Sequence, residues 1–227
     1  MKELSTLLDN ANVLGKFTTA QKDKLISLSI KRSLNRNQPL FWQGDLWVNV
    51  LLIASGKLRS VIHAPDGRSF TVSSWEKGDE FWPHSLFDGE PMPSTLEADQ
   101  ESVFYQWNGE SVLRILFENS EAIRALLRYQ IKLIRKRRDK ISDLAFQPVM
   151  GRLAKILLEQ APGSANRIKR TFTLEQIASM IASSPEVVCR SLYQLQQEGI
   201  IEVTRASITI NKRIALEQLV EKEVSTY

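Results

Sequence analysis

Residues 172–192 read Phe-Thr-Leu-Glu-Gln-Ile-Ala-Ser-Met-Ile-Ala-Ser-Ser-Pro-Glu-Val-Val-Cys-Arg-Ser-Leu, and this stretch decides how the rest of the chain is read. Thr173 with Gln176 three residues later is a capping box, which predicts a short helix through Ile181. Ser183-Ser184 ends it. Ser184 as N-cap and Pro185 at the first helical position then open a second helix that stops at Gly199. At about 100° per residue, Val188, Leu192 and Leu195 share one narrow sector of that helix, while Glu186, Arg190, Tyr193 and Gln197 lie on the opposite side. Ile200 to Val203 and Ser207 to Ile210 are short β-rich runs on either side of Thr204-Arg205-Ala206. Two short helices with a tight polar turn, followed by a hairpin, describe a winged helix-turn-helix. Arginine can donate to guanine O6 and N7 and glutamate can accept from cytosine N4, so Glu186 and Arg190 are suited to read the two bases of one G·C pair. The competing reading of the two is an i, i+4 surface ion pair.

Upstream the character changes twice. From about Ser33 to Trp107 glycines recur at Gly44, Gly56, Gly67, Gly78 and Gly89, intervals of 12, 11, 11 and 11, with β-rich runs such as Val48 to Ala54, Leu58 to His63 and Ser69 to Trp75 between them. That spacing predicts short antiparallel strands closing into a sandwich or barrel. From about Ser111 to Ala145 the pattern is helical, bounded by Pro93 and Pro148. Leu127, Ile134 and Ile141 recur every seven residues, with Ile123 and Ile131 on intermediate turns. A rod of that length spans about 50 Å, more than a small domain covers, so the stripe is expected to form a parallel dimer seam first and to pack on the β-domain as well. Arg138 falls in the seam register and calls for an anionic partner or for a place at an open part of the interface. The expected division is 1–110 for the β-domain, 111–147 for the dimerisation helix and 148–227 for the winged helix-turn-helix.

Composition agrees with this division and removes other classes. The 227 residues carry a net charge of +4. It is distributed as −3 over residues 1–110, +5 over 111–147 and +2 over 148–227, so the positive charge lies where nucleic acid would be met. One cysteine, Cys189, excludes an internal disulfide framework, and with two histidines, His63 and His84, a metal site is poorly supplied. Near the N-terminus of the recognition helix Cys189 could serve as a redox switch or simply as a small side chain beside the DNA. Neither a secretory h-region nor a membrane span is present in the sequence, and the chain is expected in the cytoplasm. No Gly-rich phosphate loop, Gly-x-Ser-x-Gly or His-Glu-x-x-His occurs, so an enzyme is not expected.

The helix-turn-helix quoted above resembles that of the CRP/FNR family of bacterial transcription regulators. So do the glycine-punctuated β-domain, Leu86-Phe87 after Gly78-Asp79, and Leu144-Ala-Phe146 followed by Gly151-Arg-Leu-Ala154; the likeness runs from about residue 10 to 215. The resemblance implies an α+β chain: an N-terminal cyclic-nucleotide-binding-type β-roll (a jelly roll), a long dimerisation helix and a C-terminal winged helix-turn-helix. It further implies a homodimer on double-stranded DNA, an inverted repeat with TGA-like half-sites, and RNA polymerase as a partner. The family's base-reading glutamate and arginine fall on Glu186 and Arg190. A third position often filled by Arg is Pro185, and the one filled by Gly or Ser is Cys189.

In the cyclic-AMP-binding members a Gly-Glu holds the ribose and an Arg-Ser or Arg-Thr the phosphate. The matching residues here are Trp82-Pro83 and Pro93-Ser94, with Thr95 beside them, so two charge-assisted contacts, each worth about 1.5–3 kcal/mol, are missing. Cyclic AMP is therefore not expected as effector. The positions that contact adenine become Arg137 and Arg138, which suit an anionic ligand. The haem-dependent branch places an axial histidine near His84, but its cysteine ligand falls on Trp82. A third option is no small effector, with Phe81, Trp82 and Phe87 filling the pocket. Two alternatives to an effector-controlled regulator thus stand beside it: a haem-based gas sensor of the same build, and an effector-binding module that acts through a protein partner.

Overall fold

The computed structural model describes residues 2–170 and 172–221. They fall into two compact units, one of residues up to Ile62 together with Thr71–Lys136, the other of His63–Phe70 and the residues from Arg137 onward.

The first unit is a two-sheet roll with a helical layer. Strands β1 (Ile30–Leu34), β8 (Ser102–Asn108), β3 (Asn49–Ser55) and β6 (Glu80–Phe81) form one sheet in that order. Strands β2 (Pro39–Phe41), β7 (Thr95–Ala98), β4 (Lys57–His63) and β5 (Ser69–Glu76) form the other. All five repeating glycines have positive φ, from 72° to 95°, as the turn spacing requires. At Gly56 the need is twofold, because a Cβ would also run into the Glu101 carbonyl and the Ser102 hydroxyl.

Strand β3 shows why the roll needs helices outside it. Its odd residues Leu51 and Ile53 join Phe41, Leu58, Trp75, Phe81, Leu96 and Phe104 between the two sheets. Its even residues Val50, Leu52 and Ala54 face a second core with Tyr105 and Trp107 of β8. That second core is closed by α1 (Lys2–Asn10), a 3₁₀ turn at Leu14–Lys16, α2 (Thr19–Leu28) and α4 (Gly109–Phe117), which contribute Leu4, Leu8, Leu14, Leu25, Val112 and Leu116. Helix α2 opens on a capping box, Thr18 with Gln21, and is tied down where Trp107 Nε1 donates to the Leu25 carbonyl at 2.7 Å. The short α3 (Ser85–Asp88) completes the unit.

The single rod expected over 111–147 is two helices. Helix α4 stops at Phe117 and α5 (Ser120–Phe146) restarts after Asn119, whose side-chain oxygen accepts from the Glu121 and Ala122 backbone N–H groups at 3.1 Å. The 27 residues of α5 span about 40 Å, shorter than the expected 50 Å.

The second unit contains α6 (Val149–Gln160), α7 (Leu174–Met180), α8 (Pro185–Gln197), α9 (Arg213–Glu221) and a three-stranded sheet in the order β10 (Ile201–Val203), β11 (Ser207–Ile210), β9 (Arg167–Lys169). Leu153, Leu157, Ile168, Ile177, Ile181, Val188, Leu192, Leu195, Ile208 and Leu216 share its core. The hairpin predicted around Arg205 is present as β10–β11, with β9 as a third strand.

Candidate nucleic-acid interface and effector site

The recognition helix α8 is fixed by the chemistry of its ends. The Ser184 hydroxyl accepts from the Val187 N–H at 3.4 Å, and Pro185 occupies the first turn, where a missing N–H costs nothing. The capping box on α7 is complete: the Thr173 hydroxyl accepts from Gln176 N–H and the Gln176 side chain from Thr173 N–H. The turn between them is made by Ala182, which sits at φ 49°, and not by the two serines alone. A Cβ in the left-handed region costs about 1–2 kcal/mol, so Ala182→Gly is expected to raise stability by about 1 kcal/mol after the entropy of the unfolded glycine is subtracted. Urea denaturation with wild type and variant measures this, and an unchanged or lowered midpoint would count against strain at the turn.

Val188, Leu192 and Leu195 are buried, while Glu186, Cys189, Arg190 and Tyr193 are exposed together on the outer face. Among the described residues no ion pair joins Glu186 to Arg190, so the competing reading of the two as a surface pair is not realised. The Ser184 hydroxyl, then its own backbone N–H, holds the Glu186 carboxyl below the usual carboxylate range, leaving it an ionised acceptor. Glu175, at the start of α7, lies close enough to feel the Glu186 charge and was not singled out by the sequence. Arg205 is exposed at the hairpin tip. The turn that carries it is locked by Thr204, whose hydroxyl donates to the Ser207 carbonyl at 3.0 Å, and by Arg170, whose guanidinium donates to the Thr204 carbonyl at 3.2 Å. Arg167, Lys169 and Arg170 on or beside β9 are exposed and add positive charge to the wing; β9 is too short for its periodicity to be read from sequence.

The candidate effector residues scatter. Ser94 is buried with its hydroxyl 2.6 Å from that of Ser60, so the two satisfy each other. Thr95 lies on the opposite face of β7 from the core residues Leu96 and Ala98, and its hydroxyl accepts from the Gln43 N–H at 3.0 Å. Arg59, one residue before Ser60 and so on the opposite face of β4, is held by Glu97 at 2.7 Å and Asp99 at 3.4 Å. None of these groups is arranged as a charged cradle for a cyclic phosphate. Trp82 is buried, but against the helical layer, and Phe81 against the inter-sheet core. Phe87 is exposed and does not fill a pocket. His84 stands at the N-cap of α3 without a side-chain capping bond. Arg138 is exposed and finds its anion in Asp139 at 2.7 Å, and Arg137 is half-buried.

Next to Trp82 is a group that the sequence did not single out. Glu80 is fully buried, with Val13 N–H and Leu14 N–H donating to Oε1 at 2.8 and 3.2 Å and Trp82 Nε1 donating to Oε2 at 2.7 Å. Burial pushes its carboxyl above the ordinary range, against the pull of those three donors. Its backbone carbonyl accepts from the Tyr129 hydroxyl of α5 at 2.5 Å. One residue thus joins the N-terminal segment, the strand before Trp82 and the long helix. Tyr129→Phe should cost about 1 kcal/mol in a urea melt, the usual worth of such a bond; an unchanged midpoint would remove the hydroxyl from the join.

Helix α5 carries two stripes. Ala122, Leu126 and Tyr129 are buried against the roll's second core, with Leu133 and Ile123 packed beside them. Leu127, Ile131, Ile134 and Ile141 are 59%, 50%, 61% and 65% exposed and lie roughly 130° around the helix from the buried set. Ile123 points the same way round the helix as Ile141 but is half-buried against the edge of the roll's second core, so it borders both stripes.

Comparison with known proteins agrees with both halves. Residues 31–119 match the cyclic nucleotide-binding domain and residues 151–219 the Crp-like helix-turn-helix domain. The CRP-like cAMP-activated global transcriptional regulator of Mycobacterium tuberculosis is 28% identical over 182 residues, 78% of this chain and 81% of that one. The transcriptional activator protein FnrA of Stutzerimonas stutzeri is 26% identical over 199 residues, 82% and 78% of the two chains. In fold, the c-di-GMP responsive global regulator CLP of Xanthomonas campestris superposes with a TM-score of 0.74 over 85% of this chain and 99% of that one, at 17% identity. With a cyclic nucleotide-binding-type roll, a long helix and a Crp-like DNA-binding helix-turn-helix in that order, the chain belongs to the CRP/FNR family of transcription regulators.

Proposed function

We propose that the protein is a homodimeric regulator that binds an inverted-repeat DNA site through Glu186 and Arg190. The observation that carries this reading is the outer face of α8, where the carboxylate and the guanidinium stand exposed and not bonded to each other on a helix whose other face is buried. Arg190 donates to guanine and Glu186 accepts from the cytosine of the same pair, within a TGA-like half-site. Pro185 offers no donor, so the neighbouring base is less constrained. Cys189 and Tyr193 flank the pair, and Arg205 with the basic residues of β9 holds phosphates. Leu127, Ile131, Ile134 and Ile141 pair with their copies across the two-fold axis, and RNA polymerase is the partner through which bound protein acts in the cytoplasm.

The signal is not cyclic AMP. Ser94 and Ser60 are engaged with each other and Pro93 stands where a phosphate arginine is needed, which supports this reading. Selection from random duplexes tests the DNA half: an enriched palindrome with a G·C pair in each half is expected, and enrichment of no palindrome overturns it. Calorimetry with cyclic AMP tests the other half, and a low-micromolar affinity would refute it. A Soret band after haem reconstitution that is lost in His84→Ala would transfer the signal to haem.

A further inference from the structure

Helix α5 ends at Phe146 and the chain turns through Gln147 and Pro148 into α6. Arg152, on the first turn of α6, spans this junction. Its Nη1 donates to the Gln147 carbonyl at 2.7 Å and its Nε to the Ile181 carbonyl at 2.9 Å. Gln147 follows directly on the last residue of α5, and Ile181 is the C-cap of α7, immediately before the left-handed Ala182 and the recognition helix. Both carbonyls lie at the negative ends of helices, where a guanidinium is favoured. The residue four after Ile181 is Pro185, which has no N–H to offer that carbonyl. Beside Arg152 the packing is close. A Cβ on Gly151 would come within 2.5 Å of Gln147 Oε1 and 3.0 Å of the Leu219 carbonyl, and the Gln147 amide donates to the Val220 carbonyl at 2.8 Å. Lys155 and Asp143, 2.5 Å apart, add a second tie between α5 and α6.

We infer that Arg152 is a positioning residue for DNA recognition: its two-pronged bond fixes the direction in which the recognition helix leaves α5, and hence the distance between the two recognition helices of a dimer. This rests on the dimer reading given above. A flat fork with two donors in fixed geometry can hold two carbonyls at a set separation, and the point charge of lysine cannot. What Arg152 controls is therefore the spacing between half-sites and not their letters.

The test uses the full chain and duplexes in which the half-site selected by the wild type is kept and the spacer is varied base pair by base pair. The wild type should prefer one spacer by about tenfold over its neighbours, because half-site separation follows the separation of the recognition helices. Arg152→Lys should keep the half-site letters and spread over several spacers to within about twofold, the fork being lost and the charge kept. Arg152→Gln, which retains a single donor group, should spread likewise, and a cooperative thermal melt checks that each variant is folded. A folded variant with the wild-type spacer profile overturns the inference and leaves the dimer reading standing. A wild type that selects single half-sites with no spacer preference overturns the dimer reading and the inference with it.

Discussion

Arg190→Ala is expected to abolish the preference for the G·C pair in each half-site and to cost about 1–3 kcal/mol per half-site, the usual worth of a bidentate contact to guanine. Two half-sites are engaged at once, so the loss on a full palindrome compounds. Val188, Leu192 and Leu195 hold the helix from its other face, and Arg190 is exposed, so the variant should fold normally. Arg205→Ala provides the contrast. A phosphate contact has no sequence to read, so its removal should weaken binding to all duplexes alike and reduce the salt dependence. Selection from random duplexes separates the two results. If Arg190→Ala recovers the same palindrome with the same G·C preference, Arg190 does not read bases.

Ile134→Asp should turn a dimer into monomers. Ile134 is 61% exposed in the isolated chain and stands among Leu127, Ile131 and Ile141, so the substitution leaves the roll's cores untouched. In the dimer it brings two carboxylates into an apolar seam, where the nearest cation on the stripe, Arg138, is already engaged by Asp139, at a cost of several kcal/mol. Light scattering at micromolar concentration should give the dimer mass for wild type and the monomer mass for the variant, with the palindrome affinity falling to that of a single half-site. A monomeric wild type would show that the stripe is not a seam.

What could be read from the sequence follows the reach of each signal. Capping boxes, an N-cap serine before proline and glycine turns are local, so α7, α8 and the strands around Gly56, Gly67 and Gly78 lie within a residue or two of their expected places. The break between α4 and α5 was local too, but its signal was Asn119 acting as a cap, with no proline or glycine to mark it. Periodicity along one helix cannot tell a face that meets the roll from one that meets a second copy, and Ile123, half-buried at the edge of the roll's second core, is the residue where the two meet. Arg152 was visible as part of Gly151-Arg-Leu-Ala154, yet its bond to Ile181 joins residues 29 apart in the chain and no periodicity reports that. Ser94, just ahead of β7, is engaged by Ser60, while Thr95, the first residue of the strand, accepts from the Gln43 N–H, so adjacency in the sequence does not place the two in one pocket.

The buried Glu80 side chain sets a boundary that a family match does not mark. The cyclic nucleotide-binding domain is recognised from residue 31, but two of the three donors that satisfy Glu80 come from Val13 and Leu14. A fragment trimmed to begin at residue 31 would leave a buried carboxyl group with only the Trp82 donor of the three. It would also strip Leu4, Leu8, Leu14, Phe17 and Leu25 from the face of β3 and β8. The smallest autonomous piece of the roll therefore begins ahead of its first strand, and limited proteolysis should spare the first 30 residues for as long as the sheet itself survives.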